Sequence, residues 1–116
     1  MKRTAALTGL LFTCVAGPAA ASAPDCSGPE HYPGSMAYVL LKDAGVLTPE
    51  AVDFDHTTSR MLVSERIRQN LWRQVFRVTF PLKNGGKVEA IVINDASQEE
   101  CSMNAPEVFL VSKQLP

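Results

Sequence analysis

The sequence predicts an α+β domain in which one N-terminal helix packs on a four-stranded antiparallel meander sheet, with one disulfide bond. Three observations predict this fold. One stretch has the apolar spacing of a helix, four later runs have the alternation or apolar character of strands, and two cysteines lie beyond the N-terminal leader. The chain has 116 residues, the length of a single domain.

Residues 1–21 have the pattern of a secretory signal peptide. Two basic residues precede a short apolar run, and small residues follow up to the A-x-A pattern of Ala19 and Ala21. The apolar run is shorter than the roughly 20 residues that span a bilayer. We therefore expect cleavage after residue 21 and export to the periplasm or out of the cell. Residues 22–116 are then one small domain with no membrane segment.

The expected mature chain is mildly acidic. It keeps nine of the 11 basic residues and all 12 acidic residues, so its formal net charge is −3. Proteins that bind nucleic acids generally carry a clear excess of basic residues. We therefore expect no nucleic-acid partner.

The cysteines predict one disulfide bond. Cleavage removes Cys14 and leaves Cys26 and Cys101, which we expect to pair because thiols persist as disulfides in an oxidising compartment. A nucleophilic Cys101 is disfavoured because Glu99 and Glu100 oppose the formation of a thiolate. No CxxC or Cys/His spacing suggests a metal site. Lipidation of Cys14 is the competing interpretation of the leader, although only a short apolar segment precedes this residue.

The first elements of the domain are an arm and a helix. Residues 22–34 contain three prolines and two glycines, which predict an extended N-terminal arm. Ser35 is a suitable N-cap for a helix over residues 36–44, because its hydroxyl can accept a hydrogen bond from a free backbone N–H. Gly45 is a natural end for this helix.

The first two strands follow the helix. Residues 61–68 alternate in polarity and predict a strand, although a helix over residues 59–73 stays open because the stretch is rich in helix formers. The alternation is clear from Trp72 to Phe80. Aromatic side chains occupy one parity there and arginines the other, as in a strand with one buried face. We therefore expect Trp72 in the core.

The last two strands are connected to the second by a hairpin turn and a long loop. The sequence Asn84-Gly85-Gly86 predicts the turn, since these residues accept the positive φ angles that hairpins require. Residues 88–93 are apolar on both parities, which indicates a central strand. Residues 108–112 are the fourth apolar run and complete the sheet.

The arginines are the clearest functional signal. Five of the nine basic residues of the expected mature chain fall between positions 60 and 77, where guanidinium groups on an outer sheet face can bind carboxylates or phosphates in bidentate fashion. The alternative is an ordinary solvated face whose arginines pair with Glu65, Glu89 and other acids of the sheet. An acidic loop before Cys101 is the second candidate surface. The predicted binding residues are Arg66, Arg68, Arg73, Arg77, Glu99 and Glu100.

Asp53, Asp55 and His56 are the alternative candidates, as metal ligands or as an acid–base pair. Calcium loops require a glycine and a distal glutamate that are missing here in register, and a polar turn explains the same residues. We therefore expect no catalytic residue, metal or cofactor. The sequence favours an exported, non-enzymatic module that binds another protein, such as an inhibitor, an immunity protein or an accessory subunit. The alternative is a small exported metal-binding protein or hydrolase.

Overall fold

The computed structural model describes Gly9 and residues 22–115. The predicted signal peptide, including Cys14, otherwise lies outside the described residues. The elements in chain order are α1 (Tyr32–Asp43), a 3-10 helix (Phe54–His56), β1 (Thr58–Arg68), β2 (Leu71–Pro81), β3 (Lys87–Ala96) and β4 (Glu107–Gln114). The predicted α+β fold is confirmed.

The four strands form one antiparallel meander in the order β1-β2-β3-β4. β2 and β3 pair without interruption from Trp72 opposite Ala96 to Pro81 opposite Lys87. The turn between them has Gly85 at a φ of 99°, as the sequence predicts, and Asn84 accepts a hydrogen bond from the backbone N–H of Gly86. α1 packs on one face of this sheet.

The helix begins earlier than the sequence predicts. It starts at Tyr32 after His31, so residues 32–34 belong to the helix and not to the extended arm. Pro33 is in the first turn, where a proline costs no hydrogen bond because the first N–H groups have no partner inside the helix. Ser35 is therefore not the N-cap, and its hydroxyl donates toward the carbonyls of Pro29 and Glu30 instead.

The region left open between helix and strand is a strand. β1 begins at Thr58, three residues before the predicted start, and continues to Arg68, so the helical alternative for residues 59–73 is wrong. Its pairing with β2 is interrupted twice, between Met61 and Val63 and between Arg66 and Arg68. These bulges change which side chains of β1 share a face, and they place Arg66 and Arg68 on opposite faces of the sheet.

The core lies between α1 and the sheet. Ala37 and Leu41 of α1 contact a cluster of buried side chains from β2 and β3, which includes Phe76, Phe80 and Val92. All five are at most 5% exposed, and burial of each large apolar side chain contributes about 1.5–3 kcal/mol to folding. Apolar burial under the helix therefore fixes this face of the sheet.

The disulfide and the N-terminal arm cover the other end of the same face. Cys26 and Cys101 are bonded as predicted, and Cys26 is fully buried. The amide of Gln74 donates to the backbone carbonyl of Pro24 over 2.8 Å, and the amide of Asn94 donates to that of Cys101 over 2.6 Å. Trp72, at this end of β2, is 4% exposed, so its predicted core position is confirmed.

Candidate functional site

The two faces of the sheet differ in what covers them. Directly opposed residues of an antiparallel pair project from the same face, so the strand register assigns each side chain to a face. We define the open face as the odd-numbered positions of β2 and β3 together with their partners on β1 and β4. The even-numbered positions of β2 and β3 project toward α1, the arm and the disulfide.

An apolar strip crosses the open face. Val63, Val75 and Ile93 lie side by side on β1, β2 and β3. Ile91 and Phe109 are paired in the next row on β3 and β4. Val63 is 53% exposed and Phe109 is 49% exposed, while the other three are half-buried. Five neighbouring apolar side chains are thus accessible on a face that α1 does not cover.

Arg73 lies next to the strip and is held by a carboxylate on the neighbouring strand. Its Nε is 3.0 Å from Oδ1 of Asp95 and its Nη2 is 3.3 Å from Oδ2, a bidentate contact. This hydrogen-bonded pairing with Asp95 raises the pKa of Arg73. The arginine side chain remains 55% exposed, so part of the guanidinium group faces solvent.

Arg77 is held in a similar way in the second row of the strip, where it is opposite Ile91. Its Nη2 is 2.6 Å from Oε2 of Glu89, and the ammonium group of Lys87 is 3.2 Å from the second oxygen of the same carboxylate. The hydrogen bonds from Arg77 and then from Lys87 lower the pKa of Glu89. Both arginines of β2 thus pair with acids of the neighbouring strand, as the alternative interpretation of this face expects, and Glu65 is in neither pair.

The other two predicted arginines separate. Arg68 is opposite Leu71 and belongs to the open face. Arg66 is opposite Trp72, with its guanidinium carbon 5.7 Å from the centroid of the indole ring, so it lies on the covered face. The prediction that Arg66 stands beside Arg73 on the outer face is wrong, because each β-bulge adds a residue to β1 and shifts its alternation.

The acidic loop is fixed to the turn between β1 and β2. The amide nitrogen of Asn70 is 2.7 Å from Oε2 of Glu99, and the amide oxygen accepts a hydrogen bond from the backbone N–H of Gln98. The bonds from Asn70 and then from Ser97 lower the pKa of Glu99. Glu100 is exposed. The sequence analysis missed Asn70, which occupies the turn with a φ of 55°.

Asp53, Asp55 and His56 lie in and next to the 3-10 helix. Nδ1 of His56 is 2.8 Å from Oδ2 of Asp53, and Asp55 and His56 are exposed. Residues 22–115 contain no group of three or more His, Cys, Asp or Glu side chains placed to hold a metal ion. No helix in the same part of the chain is long and apolar enough to cross a membrane.

A cleft at the start of α1 is a further concave surface. It has a volume of about 260 Å³ and lies between the helix and the segment that precedes β1. Its walls are mainly apolar and include Tyr38, Phe54 and Phe80, of which Tyr38 and Phe54 make an edge-to-face contact. This cleft could not be predicted from the sequence, because its walls come from distant segments.

Comparison with protein-family models, with curated proteins and with solved structures found no match to this chain.

Proposed function

We propose that this chain is an exported, non-enzymatic module that binds another protein through the open face, with the acidic loop as a second contact. One observation carries the proposal: a partly exposed apolar strip lies beside two arginines that carboxylates of β3 already hold in position. An inhibitor, an immunity protein or an accessory subunit would use such a surface. The leader that the sequence predicts and the disulfide support export.

The apolar strip supplies a driving force for association. Val63 and Phe109 each expose about half of their surface. Covering this remaining area would contribute on the order of 1 kcal/mol for each residue, by the usual relation between apolar area and free energy. Interfaces concentrate such residues at their centre and surround them with polar groups. The strip and its neighbouring ion pairs have this arrangement.

The arginines supply specificity. A free arginine loses up to about 2 kcal/mol of side-chain entropy when a partner immobilises it. Arg73 and Arg77 are already oriented by Asp95 and Glu89, so less of this entropy remains to be lost on binding. Both side chains are about half exposed, at 55% and 51%. Their remaining N–H groups are available to carboxylates or carbonyls of a partner.

The acidic loop adds a contact of opposite charge. Glu99 is held against Asn70 at the turn that joins β1 to β2. Arg68 precedes this turn and carries a positive charge on the open face. A partner that spans this end of the sheet would therefore need both acidic and basic groups, which limits the proteins that fit.

Affinity capture tests the proposal. The tagged chain and its Arg73→Ala/Arg77→Ala variant are expressed in the cells that export the protein, and the recovered partners are compared. We expect the variant to recover its main partner at least about tenfold less well, because two oriented charge contacts are lost. Removing the arginines leaves Asp95 without its ion-pair partner and leaves Glu89 paired with Lys87 alone, so folding is checked by the thermal midpoint of each purified variant.

The matched control removes two positive charges elsewhere. Lys42 lies in the last turn of α1 and Lys83 lies in the turn before β3, and both are exposed. The Lys42→Ala/Lys83→Ala variant should recover partners as the wild type does. Equal recovery by all three proteins would contradict a role for the arginines of the open face.

A further inference from the structure

Charges are distributed unequally across the open face. Its β1–β2 half carries four arginines, at positions 60, 68, 73 and 77, and a single acid, Glu65. Its β3–β4 half carries Glu89, Asp95 and Glu107 and a single base, Lys87. The first half therefore has a formal charge of +3 and the second a formal charge of −2. Much of this charge is already paired between β2 and β3 within one copy. The charged side chains of this face without an ion pair in residues 22–115 are on the outer strands: Arg60, Glu65 and Arg68 on β1 and Glu107 on β4. One half of this surface is complementary in charge to the other half.

We infer that the open face pairs with the open face of a second copy of this chain, around a two-fold axis parallel to the strands. This inference rests on the proposed function, because it uses the same face: a second copy occupies the open face reversibly, and another protein that binds there displaces it. A two-fold axis in this direction places β1 of one copy over β4 of the other, and β2 over β3. The basic half of each copy then faces the acidic half of the other.

Charge selects this axis among the ways to stack the two faces. A two-fold axis across the strands would place β1 over β1 and β2 over β2, so arginines would face arginines. The axis along the strands also aligns the apolar strip. Val75 and Ile93 are neighbours on β2 and β3, so Val75 of one copy faces Ile93 of the second copy, and the reverse.

The size of the face fits a reversible dimer. Four strands at a spacing of about 4.8 Å are about 19 Å wide, and strands of this length extend about 30 Å. Two copies would cover roughly 1,100 Å² of plane, before the relief of the side chains is counted, which is near the lower end of specific interfaces. The product is a two-sheet sandwich with a separation of about 10 Å between the sheets.

The dimer makes its most specific prediction for two opposite charges, one on β1 and one on β4. Arg60 is on β1 and Glu107 is on β4, about 14 Å or more apart across the sheet of one chain. Neither residue makes an ion pair within 22–115. In the dimer the two side chains point toward each other from opposite copies, in adjacent rows of the register.

Sedimentation velocity from low micromolar to submillimolar concentration tests the dimer. We expect wild type to dimerise reversibly, and Arg60→Glu and Glu107→Arg each to raise the dimer Kd roughly tenfold or more. The double variant Arg60→Glu/Glu107→Arg should return close to the wild-type Kd, because the exchanged charges attract again across the interface. Arg66→Glu is the matched control, since this arginine is on the same strand but on the covered face.

The outcomes separate this inference from the proposed function. A wild type that stays monomeric throughout, or a double variant weaker than both single variants, overturns the two-fold pairing. A Kd raised equally by Arg66→Glu would also overturn it, because the effect would not be specific to the open face. None of these results affects the affinity-capture experiment with the Arg73→Ala/Arg77→Ala variant, which tests binding to another protein.

Discussion

Loss of the disulfide bond between Cys26 and Cys101 should remove a large part of the stability of this domain. The bond closes a loop with a sequence separation of 75 residues. The entropy model gives a stabilisation of about 4.5 kcal/mol for a loop of this length. The free energy of unfolding of a domain of this size is about 5–14 kcal/mol in total. The Cys26→Ala/Cys101→Ala variant should therefore be only marginally stable.

The physical reason lies at both ends of the bond. Cys26 is fully buried, and the arm near it is otherwise held by the bonds from Gln74 to Pro24 and from Gly28 to Ser59. Without the covalent link these contacts alone must order the arm. The loop that carries Cys101 would likewise depend on its bond from Asn94.

Urea unfolding followed by tryptophan fluorescence measures the loss. Trp72 is the single tryptophan of the chain, is 4% exposed and lies at the end of β2 that the arm covers. For a domain of this size we expect the midpoint to fall by roughly 2–3 M urea. Wild type treated with dithiothreitol should behave as the double alanine variant does, and the reductant should leave that variant unchanged.

A small effect would refute this account of stability. If reduction and the double variant both change the free energy of unfolding by less than about 1 kcal/mol, the unfolded chain is not restrained as the entropy model requires. The packing of the arm and the core would then carry the stability.

Two further substitutions test the electrostatic contacts. Glu89→Gln should cost about 1–3 kcal/mol at neutral pH, because the charged hydrogen bonds from Arg77 and Lys87 are lost. The folded state keeps this carboxylate ionised to lower pH, so its contribution is present above the ordinary pKa of 4.5 and disappears as the pH falls below it. Urea unfolding at a series of pH values should therefore show wild type and Glu89→Gln converging in acid, and a constant difference would contradict this. Asn70→Gly should lower the thermal midpoint because the bond to Glu99 is lost. Asn70→Ala should lower it further, because a φ of 55° costs alanine about 1 kcal/mol more than glycine. Equal thermal midpoints for these two variants would show that the turn geometry does not matter.

The strand β2 was predictable from the sequence because its two faces have different surroundings. Trp72, Phe76 and Phe80 project into the core, while Arg73 and Arg77 project from the open face, so burial imposes the alternation on the sequence. The disulfide was predictable for a different reason. Removal of the predicted leader leaves two cysteines and therefore one pairing.

The edge strand β1 was less predictable, because no buried face forces its side chains to alternate between polar and apolar. Apart from Ser59, every residue of β1 is exposed, and the two bulges shift its parity. Arg66 therefore changes faces without any signal in the sequence. An edge strand accommodates such bulges because one of its sides has no neighbouring strand within the sheet.

The partners of the arginines depend on strand register. Arg73 and Asp95 are opposed because the turn between β2 and β3 occupies residues 82–86. The sequence predicts that turn but does not fix its length. A change of one residue would place Arg73 opposite a different side chain, so the ion pairs became visible only with the structure.

The central claim is that the open face is an interface, and site-specific photo-crosslinking tests it most directly. A photoreactive benzoylphenylalanine replaces Thr79, on the open face of β2, or Leu40, an exposed residue of α1. Both proteins are irradiated in the cells that naturally produce this chain. We predict covalent adducts from position 79, to a second copy or to another protein, and none of comparable yield from position 40. Equal yields from the two positions, or adducts from position 40 alone, would contradict the claim.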